Sequence, residues 1–213
     1  KENSDLPVFV SNVYDESGKL MTGADPAAMV ALLEGLRVDA IGMNCSLGPA
    51  QMKELVPVLA NYASVPVLVA PNAGLPRTEN GQTVYDVDAE EFAEIMREIA
   101  QMGARVLGGC CGTTPEFIEK LVAATKDLPP VPLTEKHRTL VSSYTHAVEL
   151  GKTPVLIGER INPTGKKRFK EALRNHSIDY ILNEGVQQEE KGVQILDVNV
   201  GLPEIDEAAM LSE

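Results

Sequence analysis

The sequence predicts an α/β fold of the (β/α)8 TIM-barrel type, with half of one barrel followed by the first strands of a second. Three observations carry this expectation. Short β-branched runs alternate with amphipathic helical stretches, the runs are apolar on both faces, and the strand–helix period is close to that of a barrel. Strands covered on both faces read as continuous Val, Ile and Leu runs and belong to parallel sheets. Residues 7–123 hold four such units of about 29 residues each, against about 31 per unit in a complete barrel of roughly 250 residues. That length suits half a barrel. A doubly wound sheet accommodates the same four units, so the count alone leaves both open.

The expected strands are "PVFVSNV" (7–13), "VDAIGMNCS" (38–46), "VPVLVAPNAG" (65–74) and "ARVLGGCCG" (104–112). Each helix between them carries start signals. Asp25 and Pro26 open the stretch bearing Met29, Leu32, Leu33 and Leu36, and Pro49 precedes Met52, Leu55, Val56 and Leu59. Asp88 with Glu91 has capping-box spacing ahead of Phe92, Ile95, Met96 and Ile99, and Gly103 is placed to end that helix. Thr114 as cap and Pro115 at the first helical position lead into Phe117, Ile118, Leu121 and Val122.

Residues 127–153 break the rhythm and read as a Pro-rich connector with a short helix near 142–150. The pattern then restarts with a strand and loop in "TPVLIGERINPTG" (153–165), helices over 166–175 and 178–191, and a strand in "VQILDVNVG" (193–201). Another helix begins in "EIDEAAMLSE". The expected domains are 1–126, a connector over 127–153, and 154–213.

The 213-residue chain is 44% apolar with no Trp, so its core rests on Val, Leu, Ile, Ala and Met. The net charge of −12 and the absence of a long Lys/Arg block argue against nucleic acid. No apolar run approaches the roughly 18 residues of a membrane span, and "KENSDLP" is not a signal peptide. A cytoplasmic protein is expected. Three cysteines, two of them adjacent, do not suit a disulfide framework.

Those cysteines are the chemical signal. In a parallel α/β barrel, functional side chains sit on loops at the strand C-termini. Cys45 ends the second expected strand, Cys110 and Cys111 end the fourth, and Asn72 ends the one between. Three thiols converging on one rim form a ligand set for a soft metal. Zinc suits it best, with a fourth position left open for substrate. Flanking glycines ease the backbone angles needed to turn neighbouring sulfurs onto one ion. Against this stands the plain reading of a free cysteine, Cys45 above all, as a small buried hydrophobe, whereas the adjacent pair in its glycine turn points to metal or redox chemistry. His137, His146 and His176 fall in the connector or a later helix and read as solvated surface residues.

"GMNCSLGP", "VAPNAG" and "GGCCGTTPE" together resemble the zinc-dependent homocysteine S-methyltransferase domain, a family that includes the corresponding domain of cobalamin-dependent methionine synthases. The resemblance covers residues 7 to about 125. It implies that Cys45, Cys110 and Cys111 bind zinc, that Asn72 is a displaceable oxygen ligand of the resting metal, and that homocysteine is the methyl acceptor. It also implies that the half-barrel is the second half.

"IGERINPTG" followed by "QQEEKGVQILDVNVG" resembles the opening of the pterin-binding methyltransferase barrel, which follows the homocysteine domain in those enzymes and binds methyltetrahydrofolate. This implies folate-side roles for Glu159, Asn162, Asp197 and Asn199. Their local alternatives are a Glu159–Arg160 ion pair and helix capping by Asp197 and Asn199. Cobalamin is implied only by the pairing of the two domains, bound by a module outside this sequence. The chain opens on Lys1 and stops two strands into the second sheet, so a fragment is expected, poorly active, aggregation-prone or self-associating on its own. Two other readings stand beside this one. The first is a homocysteine methyltransferase using betaine or S-methylmethionine, against which "IGERINPTG" argues. The second is a non-catalytic zinc- or redox-responsive thiol module.

Overall fold

The computed structural model describes residues 5–213. The chain divides into two compact units, residues 1–147 and 148–213.

In the first unit, strands β1 (Phe9–Asn12), β2 (Ala40–Asn44) and β3 (Val67–Ala70) are separated by helices α1 (Pro26–Gly35) and α2 (Pro49–Tyr62). A hairpin, β4 (Arg77–Glu79) and β5 (Gln82–Val84), precedes α3 (Ala89–Gln101), β6 (Ala104–Leu107) and α4 (Pro115–Thr125). The main sheet has the order β1-β2-β3-β6, and its neighbours run parallel. Val10 pairs with Ile41, Ile41 with Val67, and Val69 with Leu107. The strand order is sequential and lacks the reversal that marks a doubly wound sheet.

One face of this sheet and the inner faces of the helices make the core. Ile41, Met43, Val67 and Val69 pack with Val30, Met52, Val56, Leu59, Phe92, Met96 and Ile99. The alternate positions of β1 differ: Phe9 is 54% exposed and Ser11 is also exposed. The helices begin where their sequence signals put them. Asp25 accepts a hydrogen bond from the Ala28 N–H (2.7 Å) and Asp88 from the Glu91 N–H (2.9 Å). Thr114 occupies its cap position without a side-chain hydrogen bond.

Two local expectations are corrected. The connector forms no helix over 142–150. It places β7 (Thr139–Ser142) beside β8 (Ala147–Leu150) in a two-stranded ladder. Ser143 closes the turn: its N–H donates to the His146 carbonyl (2.8 Å), and its hydroxyl accepts from the Thr145 and His146 N–H groups. Such side-chain bonding competes with the helix ladder. The hairpin over 77–84 was not expected at all, although its Asn80–Gly81 turn has positive φ at both residues (51° and 79°), the signature of a type I′ turn.

In the second unit, β9 (Ile157–Ile161) and β10 (Ile195–Val198) pair in parallel, with α5 (Lys167–Arg174) and α6 (Ile178–Glu189) between them and α7 (Glu207–Ser212) after. Ile161, Phe169, Leu173, Val200, Leu202 and Met210 form its core. Buried Gln188 ties α6 to β9: its Oε1 accepts from the Arg160 N–H (2.9 Å), while its amide donates to the Glu184 carbonyl.

Candidate metal centre

Three loops at the C-terminal ends of β2, β3 and β6 are tied together by backbone hydrogen bonds. The Cys45 N–H donates to Ala70 O (3.1 Å) and the Asn72 N–H to Leu47 O (3.0 Å), joining the first loop to the second. The Cys110 N–H donates to Pro71 O (2.7 Å) and the Ala73 N–H to Cys111 O (2.9 Å), joining the second to the third. These bonds extend the parallel sheet beyond its last regular residues. They place cysteines far apart in sequence on one rim.

The thiols meet there. Cys45 Sγ lies 3.7 Å from Cys111 Sγ, and Cys110 Sγ lies 3.9 Å from Cys111 Sγ. All three sulfurs fall within 4.8 Å of one another. A tetrahedral zinc with Zn–S bonds of about 2.3 Å has a sulfur–sulfur edge of ~3.8 Å. The spacing therefore fits a single ion held by three sulfurs. Cys45 and Cys110 are half-buried while Cys111 is exposed, so the cluster is sheltered on one side and reachable on the other.

The backbone makes this possible at particular positions. Cys45 and Ser46 both adopt left-handed angles (φ 59° and 61°), which cost non-glycine residues of order 1–3 kcal/mol each. Gly112, also left-handed at φ 82°, has no room for a side chain, since an added Cβ would lie 2.4 Å from the Tyr85 ring. Thr113 braces the same turn, its hydroxyl donating to the Cys110 carbonyl at 2.7 Å.

Asn72 is 2% exposed, and its Oδ1 accepts from the Cys111 N–H at 3.1 Å. It thus sits against the cysteine pair, with one oxygen lone pair engaged and the other left over. Tyr85 is the neighbour that sequence reading missed. Its phenol pKa is pushed above the ordinary value, first by partial burial and then by its proximity to Cys111, with smaller effects from Cys45 and Cys110. Its signal in the sequence is the Asn80–Gly81 turn, which folds residues 77–84 back and returns Tyr85 to the rim.

The other residues singled out are dispersed. Glu159 is exposed and faces Lys166 Nζ (3.7 Å), not Arg160. The Asn162 oxygen accepts from the Thr164 N–H (2.8 Å), and the Asn199 oxygen from the Gly201 N–H (2.9 Å). Asp197 is exposed on β10, and Asp206, rather than Asp197 or Asn199, caps α7. The Asn199 N–H bonds to Ile161 O (2.8 Å), so the β9 and β10 loops are adjacent at their C-terminal ends. His137, His146 and His176 are exposed, although His176 follows α5 rather than lying within a helix. No helix among the described residues is long and apolar enough to cross a membrane.

A parallel α/β unit with three converging thiols on its C-terminal rim defines a class of thiolate-centred domain. The chain belongs to the homocysteine S-methyltransferase family, whose pattern matches residues 1–125. It is similar to the methionine synthase of Mycobacterium leprae (strain TN), at 37% identity over 203 residues, covering 92% of this chain and 17% of that protein. It is also similar to the methionine synthase of Mycobacterium tuberculosis (strain ATCC 25618 / H37Rv), at 34% identity over 198 residues with the same coverage of each. The chain thus spans 17% of the length of either relative. Among solved structures, the metallated form of the homocysteine methyltransferase MmuM from Escherichia coli aligns with 56% of this chain and 36% of its own, at 27% identity and a TM-score of 0.45.

Proposed function

We propose that this chain carries the homocysteine-activating zinc centre of a cobalamin-dependent methionine synthase. The observation that carries the proposal is the clustering of Cys45, Cys110 and Cys111 sulfurs within 4.8 Å on one rim. Cys45, Cys110 and Cys111 would hold the zinc, with Asn72 as the displaceable oxygen ligand. Bound there, zinc supplies the acidity that removes the proton from a coordinated homocysteine thiol, giving a thiolate nucleophile at neutral pH.

The chain's own residues do the rest. The stitched loops hold three sulfurs on the sheltered side and leave the exposed side, beside Cys111, for substrate. Three thiolates give the site net negative charge, which keeps an incoming sulfur electron-rich and suits alkyl transfer better than hydrolysis. No side-chain base is required. The methyl group would come from methyltetrahydrofolate by way of a cobalamin held by a module outside this chain.

On this reading residues 1–126 are the second half of a (β/α)8 barrel, and residues 154–213 begin the pterin-binding barrel after a connector over 127–153. The relatives' match supports this, because it covers 92% of the chain and so continues past residue 125. Homocysteine methyltransferases that use betaine or S-methylmethionine resemble the first segment alone. Glu159, Asn162, Asp197 and Asn199 would face the folate side, near the adjacent ends of β9 and β10.

Metal analysis with zinc-edge X-ray absorption tests the assignment. One zinc per chain is expected, in a three-sulfur shell with one oxygen, changing to four sulfurs when homocysteine is added. A protein that binds no zinc, or whose shell ignores homocysteine, overturns it and favours a thiol module responding to oxidation.

A further inference from the structure

We propose that residues 128–147 are a strap of the first unit and not a free connector: they run from the end of α4 back to α1, complete the N-cap of α1, and so hold the rim loop over 13–25. The strap stands apart from the metal reading, because the clustered thiols lie outside it.

It is attached at three places. The first is the end of α4, where the Leu128 N–H donates to Thr125 O (2.9 Å). Pro129, Pro130 and Pro132 then fix φ and keep the run extended. Val131 and Leu133 line one apolar hollow with Ala63, Val65 and Met102. The second attachment is at the C-terminal end of α2. There the Lys136 N–H donates to Ser64 Oγ (3.3 Å). The Arg138 guanidinium lies 4.7 Å from the centre of the Tyr62 ring and donates to Asn61 Oδ1 (3.0 Å). Between these two residues His137 takes a left-handed φ of 48°, a conformation that persists where its surroundings impose it. Beyond that bend β7 runs beside α1.

The third attachment is on the rim. Asp25 caps α1 through its carboxylate, but the N3 residue is Ala28, which has no side-chain oxygen to return the bond as a capping box would. Thr145 O takes that part, accepting from the Asp25 N–H at 3.1 Å. Gly23, at φ 89°, makes room for the approach, since an added Cβ would lie 3.3 Å from Thr145 Cγ2. The loop over 13–25 leaves β1 at the same end of the parallel sheet from which the cysteine loops leave β2 and β6. A segment that follows the last helix of the unit thus finishes its first helix and anchors a loop of the cysteine rim.

Hydrogen–deuterium exchange in the full chain tests this. The amides of Asp25 and Lys136 should be protected in the parent, and a segment over 128–147 that exchanges like an unstructured peptide overturns the proposal without any variant. Arg138→Ala removes the side-chain contacts at α2. It should speed exchange over residues 20–28 roughly fivefold while leaving α3 as in the parent. Faster exchange confined to residues 136–140, or spread equally through α3, overturns the proposal, because the Arg138 contacts would then be local or merely stabilising.

Discussion

At the scale of single residues, the centre is bought with backbone strain. Cys45 holds a left-handed conformation (φ 59°) that glycine would occupy freely, so its side chain is retained at a conformational cost. Cys45→Gly is expected to stabilise the metal-free protein by roughly 0.5–1 kcal/mol, the relief of strain less the added chain entropy of glycine. The same variant should lose bound zinc. Urea unfolding and metal analysis of one preparation check both halves, and a variant that unfolds more easily removes the strain assignment.

Tyr14 gives a prediction with a pH sign. It is 1% exposed, and burial, reinforced by the negative charge of Asp25, pushes its pKa up to about 12. The Asn12 amide nitrogen and the Tyr14 hydroxyl are buried without a well-formed hydrogen bond, and Asn12 offsets the shift only in part. The folded pKa lies above the unfolded value near 10. The corresponding stability is complete below about pH 10 and is lost as pH rises through 12. Tyr14→Phe should abolish that alkaline decline, measured as unfolding midpoint against pH between 9 and about 12.

At the scale of elements, the helices show how local chemistry settles boundaries. Asp88 was expected to cap α3, and its carboxylate accepts from the Glu91 N–H. Asp88→Ala should cost about 1 kcal/mol of unfolding free energy, and an unchanged urea midpoint would show that the packing of Phe92, Met96 and Ile99 fixes this helix by itself. Position 142–150 shows the opposite case. A short helix was expected there, but Ser143 supplies hydrogen bonds to the turn and the β-branched Thr139, Val141 and Val148 favour extended chain. The Asn80–Gly81 turn is legible in the sequence, but the strands it joins are three residues each, polar and short, and carry little periodic signal.

At the scale of the whole molecule, the main sheet is open. Its outer strands, β1 and β6, have no further strand beside them among the described residues. Phe9 on β1 is 54% exposed. Unpaired edges and uncovered apolar side chains promote association. Sedimentation velocity over rising concentration should show species heavier than the 22.9 kDa chain. A single monomeric boundary throughout, with steady turnover, would defeat this expectation.

The sequence by itself determined the alternation of strands and helices, the helix starts at Asp25 and Asp88, and the three motifs that hold Cys45, Asn72 and the Cys110–Cys111 pair. These are local matters, governed by periodicity, capping and turn chemistry within a few residues. Only the tertiary structure decided that the three sulfurs stand 3.7 to 3.9 Å apart along the cluster, and that Asn72 turns its oxygen to the Cys111 N–H. It also decided that Tyr85 returns to the same rim. The sulfur spacing and the Asn72 contact depend on parallel register and on hydrogen bonds between loops separated by 25 or more residues, and no local pattern encodes a distance across a sheet.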